Sequence, residues 1–179
     1  MVAVVSDTHG NADHRLADRT ARAVREADLT IHAGDFTTRD VFEAFESECG
    51  ELRAVYGNND PEALTECLPA TRVIDLAREG FDSRVRIALC HGHEHSETAL
   101  SLLGRQEGAD IVVSDHSHRP GVAEAGDLTL LNPGSHADPR WNRPAHAELG
   151  VAEDGGLDGR LREPDGTVFR EFAVSPAEE

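Results

Sequence analysis

Seven side chains able to bind divalent metals are spread through this chain: Asp7, His9, Asp35, Asn58, His91, His116 and His118. They supply two carboxylates, one amide oxygen and four imidazoles. Mixed nitrogen and oxygen donors suit Mn2+, Fe2+, Zn2+, Co2+ or Ni2+ better than Ca2+ or Mg2+, which favour all-oxygen shells. Seven donors are too many for one tetrahedral ion. Two ions sharing a carboxylate accommodate them, and metals ~3.5–4 Å apart are the usual device for cleaving phosphate esters. Asp7-x-His9 and Gly34-Asp35 are weak signals alone. His116-x-His118 is stronger, because residues two apart in an extended segment share a face.

Chemistry of this kind needs elements that bring distant residues to one rim, and the hydrophobic pattern supplies them. Val2 to Val5, Leu29 to His32, Leu52 to Tyr56, Cys90's run from Arg84, and Asp110 to Val113 read as short strands. Asp7 and His9, Asp35, Asn58, His91, and His116 with His118 follow those strands in that order. In open α/β sheets the carboxyl ends of strands gather where ligands bind. Gly10, Gly34, Gly57 and Gly92 stand beside the candidates and let the backbone bend or approach closely.

Helices are expected from about His14 to Ala27, from a Thr38 cap to Gly50, and from a Ser96 cap to about Gln106. Asp60 and Pro61 read as the cap and first residue of another. A hairpin is expected to pair Thr71–Leu76 with Arg84–Cys90. Leu128–Leu131 is a further strand, and turns at Gly155-Gly156 and Asp165-Gly166 make the C-terminal part hairpin-like. The order predicts an α/β fold with two packed mixed sheets and helices outside. Residues 1–174 read as one domain, with 175–179 as a frayed tail.

The series Asp7-Thr8-His9-Gly10, Gly34-Asp35, Gly57-Asn58-Asn59-Asp60, His91-Gly92-His93 and His116-Ser117-His118 resembles the calcineurin-like metallophosphoesterases. The small single-domain bacterial and archaeal phosphodiesterase branch is the most similar, and Asn132-Pro133-Gly134-Ser135 with Pro139-Arg140 matches its late motif. The resemblance implies a four-layer α/β/β/α sandwich. It places one ion on Asp7, His9, Asp35 and His118, and a second on Asp35, Asn58, His91 and His116, with Asp35 bridging. It also implies a phosphodiesterase acting on small phosphodiesters or activated phosphomonoesters through a metal-bound hydroxide. Two divalent ions are expected, manganese first, with Ni2+, Fe2+, Zn2+ and Co2+ as alternatives. The rival reading is a non-catalytic protein-interaction scaffold on the same fold.

Two positions depart from the family pattern. Asn59 stands where larger relatives carry a histidine that protonates the leaving group, which makes His93 the catalytic candidate beside Asn58. Asp115 replaces the usual glycine before His-x-His; aspartate tolerates unusual backbone angles and can orient His116 or His118. Elsewhere the bland readings are preferred. His32 is expected to be a hydrogen-bonded core residue, His95 and His14 to face solvent, and Cys90 to be a small buried apolar group. Asn11 either touches phosphate or caps a helix. Trp141, beside Pro139, Arg140 and Arg143, suits a homo-oligomer contact or the cleft wall.

Charge limits the partners. The 34 acidic and 17 basic residues give a net charge of −17, and every basic residue is arginine. Such a surface repels nucleic-acid phosphates and anionic membranes, so no nucleic-acid groove is expected. The substrate is expected to be a small phosphoester. No apolar run approaches the ~20 residues that span a bilayer, and no basic, apolar leader precedes Arg15. Cys49, Cys67 and Cys90 lack CxxC spacing. A cytoplasmic protein is expected, and acidity without lysine suggests a salt-rich, halophilic interior.

Overall fold

The computed structural model describes residues 1–176. In chain order the first half contains β1 (Val2–Val5), α1 (Asp18–Glu26), β2 (Leu29–His32), α2 (Arg39–Glu48), β3 (Leu52–Ala54), α3 (Glu62–Thr65) and β4 (Thr71–Asp75). The second half contains β5 (Arg86–Cys90), α4 (Glu97–Glu107), β6 (Ile111–Val113), β7 (Gly121–Ala125), β8 (Leu128–Asn132), β9 (His146–Val151), β10 (Leu157–Arg162) and β11 (Val168–Val174). No helix among the described residues is long and apolar enough to cross a membrane.

Two mixed sheets result. One has the order β11-β10-β9-β1-β2-β3, with β1, β2 and β3 parallel and the later hairpins antiparallel. The other has the order β4-β5-β6-β8-β7, with a parallel centre. The continuous apolar runs of β1 and β6 suit strands covered on both faces. Between the sheets lies a core that includes Val4, Ile31, Leu89, Val113, Leu131 and Leu149. Truncating such a side chain to alanine costs about 2–5 kcal/mol. Phe36, Val41 and Phe45 pack with Ala3 and Val5 on one outer face, and Leu100 packs with Ala88, Val112 and Leu130 on the other. The expected α/β/β/α layering is therefore present.

Local signals explain most boundaries. Thr38 accepts the Val41 N–H at 3.2 Å and Ser96 accepts that of Ala99 at 3.3 Å, so both capping expectations hold. The turns at Gly155 and Gly166 join β9 to β10 and β10 to β11, as expected. Two readings need correction, and one strand carries little sequence signal. Residues 14–17 are not helical, because His14 is tied to Glu48 and Arg15 donates to the carbonyls of Thr8 and His9. Asp60 caps no helix; Pro61 takes the N-cap position of α3, and the Asp60 carboxylate is used elsewhere. β7 was not anticipated, since its run of Gly121, Ala123, Glu124 and Ala125 around a lone Val122 carries little strand signal. Of the tail expected over residues 175–179, positions 177–179 lie outside the described residues.

Candidate metal centre

Five strand ends meet at one rim. Asp7 and His9 follow β1, Asp35 follows β2, Asn58 to Asp60 follow β3, His91 follows β5, and His116 and His118 follow β6. Hydrogen bonds sew the two sheets together there. His91 Nδ1 donates to the Ala33 carbonyl at 2.8 Å, the His116 N–H donates to Asp7 Oδ2 at 3.2 Å, and Ser135 Oγ donates to the Asp7 carbonyl at 2.7 Å.

The donors fall into two groups, Asp7 with His9 and His118, and Asp35 with His91 and His116; within each, the donor atoms lie within 4.8 Å of one another. His118 Nε2 is 3.1 Å from Asp7 Oδ1, and His91 Nε2 is 3.3 Å from Asp35 Oδ2. His9 links the groups, its Nε2 lying 3.4 Å from both Asp7 Oδ1 and Asp35 Oδ2. An ion with bonds of about 2.0–2.1 Å sets neighbouring donors about 3.0–3.4 Å apart, so these spacings fit one. Two buried atoms point the same way. Nε2 of His91 and of His118 have no hydrogen-bond partner among the described residues. Their Nδ1 atoms face the carbonyls of Ala33 and Asp138. A carbonyl only accepts, so each Nδ1 carries a proton, and this turns Nε2, the atom a metal would take, towards the carboxylates of the site.

Asn58 is exposed, and among the described residues no hydrogen bond ties its side chain to this cluster. Its neighbour does the visible work. Asn59 donates its backbone N–H to Asp35 Oδ1 at 2.8 Å and its side-chain amide to Asp35 Oδ2 at 2.6 Å. Asp60 then braces both loops: its carboxylate accepts the N–H groups of Gly57 (2.8 Å), Asp35 (3.0 Å) and Thr37 (2.7 Å). Sequence reasoning missed this role, although a carboxylate just after Gly-Asn-Asn was in plain view.

The backbone is strained where the donors sit. Asp7, His9, Asp35, His116 and His118 all have φ between 45° and 76°. Left-handed backbone at such residues costs on the order of 1–3 kcal/mol each and persists only where the surroundings enforce it. At Gly57 a β-carbon would collide with the Asp35 carboxylate, so the loop after β3 reaches that ligand only as glycine. The unusual backbone angles that aspartate would tolerate at position 115 occur instead at His116 and His118.

Electrostatics reinforce the arrangement. Burial opposes ionisation of Asp7, yet the imidazoles of His118 and His9 beside it hold its carboxyl far below the usual range. Asp35 is likewise depressed against burial, by His9 and His91. Hydrogen bonds to Asp35 and Asp7 lift His9 to about 9. The pocket thus favours positive charge between two ionised carboxylates. Asp115 differs: burial, with Asp7's charge second, raises it to about 8. It orients the site through the His118 backbone N–H, which it accepts at 2.8 Å, rather than through an imidazole ring.

The remaining candidates have definite places. His93 is exposed at the mouth, its ring 5.5 Å from that of His91 and 6.1 Å from that of His116. His32 is a buried core residue, as expected, stacked 3.7 Å from Phe36 and bonded to Thr8 and to the Gly34 N–H. His14 is half-buried against Glu48 rather than solvent-facing. Cys90 is buried, and burial pushes its thiol up to about 11. Trp141 is fully exposed.

A calcineurin-like phosphoesterase superfamily domain matches residues 1–154. A probable metallophosphoesterase of Methanothermobacter thermautotrophicus is 33% identical over 149 residues, covering 81% of this chain and 82% of that protein. A phosphodiesterase of Methanocaldococcus jannaschii is 28% identical over 141 residues, covering 74% and 82%. Vps29 of Chaetomium thermophilum superposes with a TM-score of 0.78 at 18% identity, covering 98% of this chain and 97% of that one, a likeness of fold alone. The chain belongs to the calcineurin-like phosphoesterase superfamily.

Proposed function

We propose that the chain is a two-metal phosphodiesterase acting on small phosphodiesters or activated phosphomonoesters. The observation that carries this reading is the pair of donor groups joined through His9 and the two carboxylates. One ion would be held by Asp7, His9, Asp35 and His118, and the other by Asp35, Asn58, His91 and His116. Two bound divalent ions would supply Lewis acidity at the phosphate oxygens and lower the pKa of a water. The chain's own groups do the rest. The carbonyls of Ala33 and Asp138 fix the rings of His91 and His118, so no reorientation is needed when substrate arrives. Asn59 holds Asp35 but cannot give up a proton. His93, at the mouth beside His91 and His116, takes the role of proton donor to the departing oxygen.

A protein-interaction scaffold on this fold would not need buried, strained donors with unpartnered imidazole nitrogens, which favours the catalytic reading. The deciding experiment supplies the purified protein with Mn2+ or Ni2+ and offers bis-p-nitrophenyl phosphate and a panel of nucleotide esters. Metal-dependent release of nitrophenolate is expected. No turnover of any ester, together with a stoichiometric protein partner in a pull-down, would establish the scaffold instead.

A further inference from the structure

The outer face of the second sheet is only partly covered. α4 packs across β5, β6 and β8 and leaves the β8–β7 end open. A cleft of about 610 Å³ occupies that gap, a size typical of small-molecule sites. One end reaches His116 of the candidate metal centre, and Ser117 and Arg119 lie beside it. Leu100, Ala123 and Leu130 give the cleft an apolar wall.

Arg119 is the telling residue. The chain has twice as many acids as bases, many of its arginines are paired with carboxylates, as Arg19, Arg53 and Arg160 are, and Arg119 is the one arginine that lines this cleft. Arg119 is exposed and has no ion pair among the described residues. An unpaired cation at the mouth of a cleft that leads from His116 complements an anionic group. Glu97, the first residue of α4, also lines the cleft, and its carboxylate disfavours an anion next to itself.

We propose that this cleft takes the larger ester group of the substrate, with an apolar body against Leu100, Ala123 and Leu130 and a second phosphate at Arg119. The inference rests on the phosphoesterase reading and deepens it. A nucleoside carrying one phosphate besides the scissile diester has this chemistry.

Two probes differ by that phosphate alone: thymidine 5′-(p-nitrophenyl phosphate) and its 3′-phosphorylated form. The 3′-phosphate is expected to raise kcat/KM in the native protein. In Arg119→Ala the ratio between the probes should fall about tenfold, and Arg119→Lys should restore part of it. A ratio unchanged by Arg119→Ala overturns the proposal. A second arm titrates thymidine 3′,5′-bisphosphate calorimetrically into metal-free native and Arg119→Ala protein at fixed KCl. Binding weakened about tenfold by the substitution supports the cleft even where no ester turns over, an outcome that would remove the phosphodiesterase reading alone. Equal binding by both proteins removes the cleft proposal whatever the turnover.

Discussion

Nε2 of His118 lies 3.1 Å from Oδ1 of Asp7, and both side chains are wholly buried. Asp7 comes from the first strand's end and His118 from the loop after β6, so this pair bridges the two sheets. A carboxylate kept dry at this spacing needs positive charge beside it, from a protonated imidazole or from a cation that joins the two groups. The same logic applies to Asp35 and His91.

Asp35 is the shared carboxylate of the proposed centre. Asp35→Ala should lower the metal content from two ions per chain to fewer than one. Turnover should drop at least about 100-fold, beyond what losing a supporting group costs. Elemental analysis beside kinetics checks both; two retained ions would refute the bridging role.

Asn58 and Asn59 are assigned different tasks, ligand and brace. Asn58→Ala should remove one ion while leaving the other bound. Asn59→Ala should retain both ions and weaken their affinity by about 10–100-fold, as loss of an outer-shell partner does. Metal titrations distinguish the two, and a reversed pattern would exchange the assignments.

Asp60 satisfies three backbone N–H groups from two ligand loops. Asp60→Ala leaves those donors without their acceptor and should cost about 2 kcal/mol of stability. Chemical denaturation gives the stability, and a parallel fall in metal affinity is expected. An unchanged midpoint would show that the loops hold themselves.

Glu148 offers a pH test remote from the candidate ligands. Burial opposes its charge, but His146, Arg19 and Arg162 outweigh burial and hold it at about 2, below its ordinary 4.5. A depressed carboxyl stabilises the folded chain above its unfolded pKa and loses that contribution as pH falls through the folded value. The native protein should therefore lose thermal stability between pH 4.5 and about 2 faster than Glu148→Gln. Parallel curves for the two proteins would rule this out.

Net charge predicts a response to salt. At ~0.1 M salt the Debye length is ~10 Å, and at 1 M it is ~3 Å, so concentrated KCl quenches the mutual repulsion of 34 acidic residues. The thermal midpoint and the turnover should both rise on going from ~0.1 M to molar KCl. A decline in either would argue against adaptation to a salt-rich interior.

The strand runs, Thr38 and Ser96 caps and hairpin turns were legible because each depends on neighbours in sequence. The Asp and His residues that the structure gathers into two groups were legible too, since they recur in order where apolar runs stop. Sequence by itself therefore determined the layered architecture and the donor chemistry. Only the tertiary structure decided that His14 and Arg15 leave the helix to grip Glu48 and the first ligand loop. The same is true of Asp60's three backbone contacts, Asn59's hold on Asp35, and the left-handed strain at five donors. Each of those features rests on groups brought together from separate strand ends. Local spacing carries no information about such meetings, which arise when two sheets bury a common core.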